Sequence, residues 1–281
     1  MHNTIDAHHH FWTAAPPGHP RQSAVHTVLD QNYGPEDLIG KMQSAGVDGT
    51  VLIQSRNEAS ENDRLSAYAT YDFVRGVVAW LPLDHPEAAY RELDRLDPSK
   101  LCGVRHLVAD DPLDWANRAS SISLFRDIAR RGLAWDIVAV TPMQVVNVLK
   151  LAAAVPELMI VIDHLARPPL GSKGREPWAR QIKDLAQCPT IAVKVSVGIN
   201  SLLEWPTWTN NELLPYIDWA CLHFGPTRLM LASNWPVVLL RANYDAAWNG
   251  LVSTICQLLP AQQDQNFLRG ETAQNWYHLH P

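Results

Sequence analysis

The chain has 281 residues, 47% of them hydrophobic and 19% charged, with a formal net charge of −6. That composition can build a large core and excludes a mainly disordered chain. The acidic balance gives no electrostatic basis for binding nucleic acid or an anionic membrane surface, so neither is an expected partner.

The opening MHNTIDAHHHFW lacks a basic stretch followed by an apolar run, so it does not read as a secretion signal. No apolar run reaches the length of a membrane span, and a soluble cytoplasmic protein is expected. The four cysteines, Cys102, Cys188, Cys221 and Cys256, are scattered without a CxxC pair. They read as buried free thiols rather than a disulfide framework.

In chain order, short β-rich runs alternate with helical patterns. Strands are expected at 4–10, 49–54, 74–81, 102–107, 134–140, 159–164, 191–196 and 228–234. Helices are expected between and after them at 35–45, 61–70, 86–96, 122–131, 142–154, 176–185, 210–224 and 244–258, with a last helix within 261–281. Pro35, Pro86 and Pro142 fall where a first helical turn tolerates proline. Strand runs such as VVAWL and MIVID are apolar on both faces, as in a parallel sheet covered by helices. Strands recurring about every 30 residues predict βα units, and eight of them fit a closed (β/α)8 TIM barrel forming a single domain over 1–281. In such barrels chemistry sits at the C-terminal strand ends, so the polar residues closing each run are the candidates.

The first run ends Asp6-Ala7-His8-His9-His10. Alternation along a strand places Asp6, His8 and His10 on one face, and His9 with Phe11 on the other. Two imidazoles on one face can hold a metal or stabilise an oxyanion. The second run ends Gln54-Ser55-Arg56, and Arg56 reads as a clamp for a substrate anion or as a solvated loop residue. Of the neighbours Arg105 and His106, which face opposite ways, at most one can point inward. The sixth run closes with Asp163-His164, where a buried histidine needs a use for its nitrogens. Arg167 and Lys173, just beyond, read as surface residues. Lys194 either lines the barrel with Ser196 or makes a structural ion pair. Trp80 and Trp235, next to strand ends, are candidate walls of a pocket for a ring-shaped ligand. The eighth run closes with Asn234-Trp235-Pro236.

Taken together, IDAHHHFW, VIDHLARPP, VKVSVG, RLMLASNWP and GETAQNWYHL resemble the amidohydrolase superfamily, in its branch of lactonases for sugar-acid lactones and pyrone dicarboxylate. The resemblance spans essentially the whole chain. It implies a hydrolase that opens a small-molecule lactone by attack of an activated water, and Arg56 and Arg105 hint that this substrate carries an anionic group. It implies that His8, His10 and His164 polarise the lactone carbonyl, directly or through one divalent ion, zinc or manganese. Relatives of both kinds exist, so the metal requirement stays open, as does the oligomeric state. Gln54 falls on a family position, and with Arg56, Trp80, Arg105, His106, Lys194 and Trp235 it makes up the expected substrate-binding set.

One departure bears on activity. The family carries an aspartate, the general base, where this chain has Asn234, and an amide has no basic oxygen near neutral pH. The favoured reading is an inactivated Asp-to-Asn variant that can hold intact substrate. The other is a natural member whose chemistry is lost or rerouted. Two alternatives accompany the lactonase reading: a metal-dependent decarboxylase of the same superfamily, and a non-catalytic barrel that binds a lactone-like ligand. A two-metal nuclease or phosphotriesterase is disfavoured, because the fifth run offers no evident bridging ligand.

Overall fold

The computed structural model describes residues 3–14, 27–171 and 174–279. Eight parallel strands follow one another in chain order around a barrel: β1 (Ile5–His9), β2 (Gly49–Ile53), β3 (Val74–Trp80), β4 (Leu101–Arg105), β5 (Ala134–Ile137), β6 (Ile160–Ile162), β7 (Ile191–Val195) and β8 (Leu229–Leu231). All eight expected strands are present, each shorter than expected. The polar residues that close the expected runs belong largely to the loops that build the site.

Between the strands run α1 (Pro35–Ser44), α2 (Ala59–Tyr68), α3 (Pro86–Arg95), α4 (Ala119–Arg130), α5 (Pro142–Ala154) and α6 (Trp178–Ala186). A short α7 (Ile199–Glu204), which periodicity did not foretell, precedes α8 (Asn210–Phe224), and α9 (Tyr244–Leu258) follows β8. Local chemistry fixes several helix starts. The Thr141 hydroxyl accepts from Gln144 N while the Gln144 side chain accepts from Thr141 N, and Pro142 opens α5. Asn243 caps α9 through Ala246 N.

The expected terminal helix is broken. α10 (Gln262–Asn266) passes through a π turn (Phe267–Glu271) into α11 (Thr272–Trp276). At the break, a Cβ on Gly270 would lie 2.0 Å from the Asn3 carbonyl oxygen, so only glycine lets this segment approach the start of β1.

Apolar residues form two layers. One cluster fills the space between the barrel and its helices. The other, including Ile5, Val51, Val78, Ala134, Val161, Ala192 and Met230, fills the barrel itself together with Ala273, Trp276 and Tyr277 from the terminal segment. The ring closes near its mouth. His9 bridges Trp235, Asn234 N donates to His8 O, and His10 N donates to Trp235 O. No helix among the described residues is long and apolar enough to cross a membrane. All four cysteines are free. Only Cys102 is buried; Cys188 and Cys221 are partly exposed and Cys256 is exposed, its Sγ meeting Gln265, so the expectation of buried thiols holds for Cys102 alone.

Candidate active site

A bulge in β1 builds the centre. Asp6 pairs with Thr50 and His9 with Leu52, so three steps of β1 match two of β2. One extra residue resets the alternation. Asp6 therefore does not share a face with His8 and His10, as simple alternation predicted. It points outward, accepting from Ser233 N, His8 N and the Tyr244 hydroxyl. Its role is to tie β1 to the β8 loop. His9 does lie on the outer side, packed on Phe11 and bonded to Thr50.

His8 and His10 meet inside, with Nε2 atoms 3.1 Å apart. His10 Nδ1 donates to the Ile53 carbonyl at 2.8 Å, which leaves its Nε2 unprotonated. The His164 ring lies 4.4 Å from that of His8, centre to centre, and its Nδ1 meets Ser196 Oγ at 2.7 Å. His164 opens a left-handed turn: residues 164 to 167 have φ of 54°, 51°, 53° and 57°. Non-glycine residues pay about 1–2 kcal/mol each for this conformation. Strain of this size persists only where the surroundings fix it. Here Trp178 Nε1 donates to Leu165 O, while Ser201 and Tyr216 bond the carbonyls of Pro168 and Pro169. Asn234 is left-handed too, at φ 54°. Gly198 leaves room for His164: a Cβ there would stand 3.3 Å from the imidazole Cδ2.

Beneath the imidazoles lies a buried charge network. Lys194 Nζ stands 2.5 Å from Asp136 Oδ2, 3.1 Å from Asp163 Oδ1 and 3.2 Å from His8 Nδ1. Arg105 Nε stands 2.9 Å from Asp163 Oδ2. Burial alone would raise both carboxyls. For Asp163 the cations Lys194 and Arg105 outweigh burial and hold it well below its ordinary value. For Asp136 burial prevails, lifting it to about 6.

A cavity of about 530 Å³ opens above this centre. His10, Arg56, Arg105, His164 and Asn234 line it, with Trp12, Leu107, Val138, Ile199 and Val237 as apolar wall. Asn234 Nδ2 donates to the Val197 carbonyl at 2.8 Å, and its Oδ1 is buried without a partner among the described residues.

Other expected residues stand elsewhere. His8 and Lys194 lie behind the cavity wall, fully buried. Gln54 donates its side-chain NH2 to Asn57 and offers its main-chain carbonyl to Arg105, while its Oε1 has no partner among the described residues. His106 faces away, bonded to the Leu81 carbonyl, so of the pair only Arg105 reaches the cavity. Trp235 is no wall. It packs outward against Phe11 and Tyr33, because its backbone closes the barrel and turns its ring out. Trp80 does not line the cavity either, and its main chain is held by Asn62. Arg167, expected at the surface, lines the cavity because the left-handed turn swings it back beside His164. Lys173 lies outside the described residues. Sequence reasoning assigned no role to Asp136 or Asp163. The available signal was a charged residue inside an apolar strand run, which is costly unless paired.

The histidines and carboxyls set a pH dependence of stability. Burial holds His9, His10 and His164 down at about 3 and His8 well below its usual value. Their lowered values contribute stability that is present above pH 6.5 and lost as pH falls. Asp6 and Asp136, lifted to about 6 by burial, act oppositely: their contribution is present at acid pH and lost as pH rises. Four histidines outweigh two carboxyls. Unfolding free energy should therefore drop by about 2–3 kcal/mol per pH unit between pH 6 and 4. Urea titrations across that range check this, and a flat profile would contradict it.

The parallel eight-stranded barrel, with histidines, carboxylates and arginines gathered at the C-terminal strand ends, defines an α/β-barrel protein with an enzyme-type centre. Residues 5–279 match the sequence profile of the Amidohydrolase family, and the chain belongs to that family. It is 29% identical to an L-fucono-1,5-lactonase of Burkholderia ambifaria over 98% of this chain and 95% of that protein. A crystal structure of an amidohydrolase from Burkholderia multivorans with bound zinc superposes with a TM-score of 0.88 at 26% identity, covering 99% of this chain and 100% of the other. A candidate 2-pyrone-4,6-dicarboxylic acid hydrolase of Pseudomonas putida, at 24% identity and TM-score 0.72 over 99% and 98% of the two chains, shares the fold.

Proposed function

We propose that this protein is a lactonase-type barrel that binds a lactone at the 530 Å³ cavity, and that Asn234 stands where the water-activating carboxylate belongs. The observation that carries the reading is the meeting of His10, His164 and Asn234 on one cavity lining, from three different strand ends. The whole-length similarity to L-fucono-1,5-lactonases supports it.

The neutral imidazoles of His10 and His164 face the carbonyl oxygen of the bound ester and stabilise the charge that develops on it. Val138, Ile199 and Val237 keep water away from the ring. A water held at Asn234 can be oriented by the amide but cannot surrender its proton to it. The chain thus holds substrate without turning it over. Three guanidiniums line the cavity. Arg105 is committed to Asp163, and Arg56 to the Thr13 carbonyl and Glu58. The Arg167 side chain has no hydrogen-bond or ion-pair partner among the described residues, so it is the guanidinium best placed to take an anionic group of the substrate or the carboxylate of the opened acid.

The donor set fits a divalent ion. Two imidazole nitrogens on one tetrahedral ion stand about 3.3 Å apart, and His8 and His10 present theirs at 3.1 Å. His8, His164 and Asp163 bring one ligand atom each within 4.8 Å of one another, so His164 can supply a further nitrogen, while Asp163 already pairs with Lys194 and Arg105. When bound, the ion would supply Lewis-acid polarisation of the ester oxygen. An amide at 234 is a poorer ligand than a carboxylate, so the purified chain should carry well under one zinc per molecule, and Asn234→Asp should raise that content. Elemental analysis of both proteins measures it, and equal content would contradict the prediction.

Calorimetric titration with L-fucono-1,5-lactone and with 2-pyrone-4,6-dicarboxylate tests the binding claim. Saturable binding of one of them, with the intact ring recovered afterwards, is expected. No heat from either, with the protein folded, would remove the support for a lactone site of these two kinds.

A further inference from the structure

The cavity is larger than its reacting centre needs, and its outer part has a character of its own. Its volume of about 530 Å³ lies within the roughly 300–1,000 Å³ of pockets that enclose drug-sized ligands. His10, His164 and Asn234, the groups that face the ester, are buried in its floor. Leu107 and Ile199 line the same cavity with 39% and 38% of their surface exposed. Among the described residues only six large hydrophobic side chains are this exposed, and these two share one cavity. Single exposed apolar residues are ordinary, whereas apolar residues gathered at a cavity mark a place where a ligand covers them. Trp12 extends this surface. Its Nε1 donates to the Gln31 carbonyl, so the ring offers only carbon to the cavity.

The apolar wall is held open by its backbone. Asn57 Nδ2 donates to the Leu107 carbonyl at 2.8 Å, and Asn57 Oδ1 accepts from Leu107 N at 2.9 Å. Ile199 opens α7, and the Arg241 guanidinium clamps the far end of that helix by donating to the carbonyls of Leu203 and Trp205. A surface fixed in this way is preorganised for a ligand. Polar neighbours are largely bonded already: Ser55 Oγ donates to Glu61, and Arg56 donates to the Thr13 carbonyl. The charged side chains left without a partner on this lining are those of Arg167 and Asp30. A sugar ring hydroxylated on every carbon would set hydroxyls against Leu107, Ile199 and Trp12, where nothing pairs with them.

We propose that the ligand of this site is an amphiphilic lactone: a ring bearing one carboxylate, taken by Arg167, and one apolar arm, a short alkyl chain, lying against Leu107, Ile199 and Trp12. The arm is the new element. It deepens the lactone reading and rests on it.

The test is equilibrium binding of four compounds to the parent chain: γ-butyrolactone, the ring alone; paraconic acid, the ring with a carboxylate; γ-octalactone, the ring with a butyl arm; and γ-butylparaconic acid, which carries both. Burial strengthens binding by about threefold to fourfold per methylene, so γ-butylparaconic acid should bind at least about tenfold tighter than paraconic acid. That advantage should shrink by about fivefold in Leu107→Ser and in Ile199→Ser. The advantage of paraconic acid over γ-butyrolactone should shrink by about tenfold in Arg167→Gln. A butyl arm that adds nothing would overturn the proposal, as would an arm advantage intact in both serine variants or a carboxylate advantage intact in Arg167→Gln. Leu107 and Ile199 stand at the exposed rim, so the serine variants should melt with the parent; if one fails to fold, the other gives the same reading. Binding of paraconic acid without gain from the arm sinks this inference alone. Absence of binding by all four compounds sinks the lactone reading and this inference together.

Discussion

Asn234→Asp should turn a binding protein into a hydrolase, with lactone turnover rising by about 10²–10⁴-fold, the usual worth of a positioned general base. The local geometry makes this substitution more than an exchange of equals. Asn234 Nδ2 donates to the Val197 carbonyl at 2.8 Å, whereas a carboxylate would set oxygen against oxygen there. The new side chain must either hold a proton, which raises its pKa, or turn away from Val197. The first keeps the hydrogen bond at acid pH and gives a base that ionises near neutral pH; the second loses the buried hydrogen bond, at a cost of roughly 1–3 kcal/mol. With the pKa of the introduced carboxyl raised in the folded state, the Asn234→Asp variant is least penalised at acid pH and loses stability as pH rises through that value. Rate and urea midpoint, measured for parent and variant at pH 5 and 8, check both halves. A variant as inactive as the parent on lactones that bind would place the base elsewhere, with His164 the next residue to test.

Lys194→Met should be the most destabilising of the conservative-length substitutions in the barrel. Lys194 is 0% exposed and bridges two carboxylates that are themselves fully buried. Removing one partner of a buried ion pair leaves uncompensated charge and costs about 3–5 kcal/mol. For a chain of this size the melting temperature should drop by roughly 10 °C. Asp136 would then take up a proton more readily, since its largest lowering influence is Lys194. Adding Asp136→Asn should therefore recover part of the loss. A double-mutant cycle with thermal melts measures the coupling, and strict additivity would contradict a shared network.

The barrel was legible in the sequence because its strands are apolar on both faces and its helices carry clear start signals, as at Thr141-Pro142. The motif-bearing strand ends were legible as well: His8, His10, His164 and Asn234 do converge. What escaped was whatever a strict two-residue period cannot carry. The β1 bulge turned Asp6 out, and the left-handed turn after β6 brought Arg167 in. Trp235 looked like a pocket wall because it adjoins the site in sequence, yet its backbone closes the ring and its side chain faces the other way. Tyr277 was legible only as part of the terminal GETAQNWYHL motif; its bond to Asp136, 141 residues away, was not.

Hydrolysis of L-fucono-1,5-lactone or 2-pyrone-4,6-dicarboxylate by the Asn234→Asp protein in 18O-enriched water, read by mass spectrometry against a spontaneous-hydrolysis control, tests the central claim most directly. Enzyme-dependent formation of the ring-opened acid is expected, with one solvent oxygen in its new carboxylate and no release of CO2. Loss of CO2, or acid formed no faster than in the control from a lactone the protein binds, would contradict the lactonase reading.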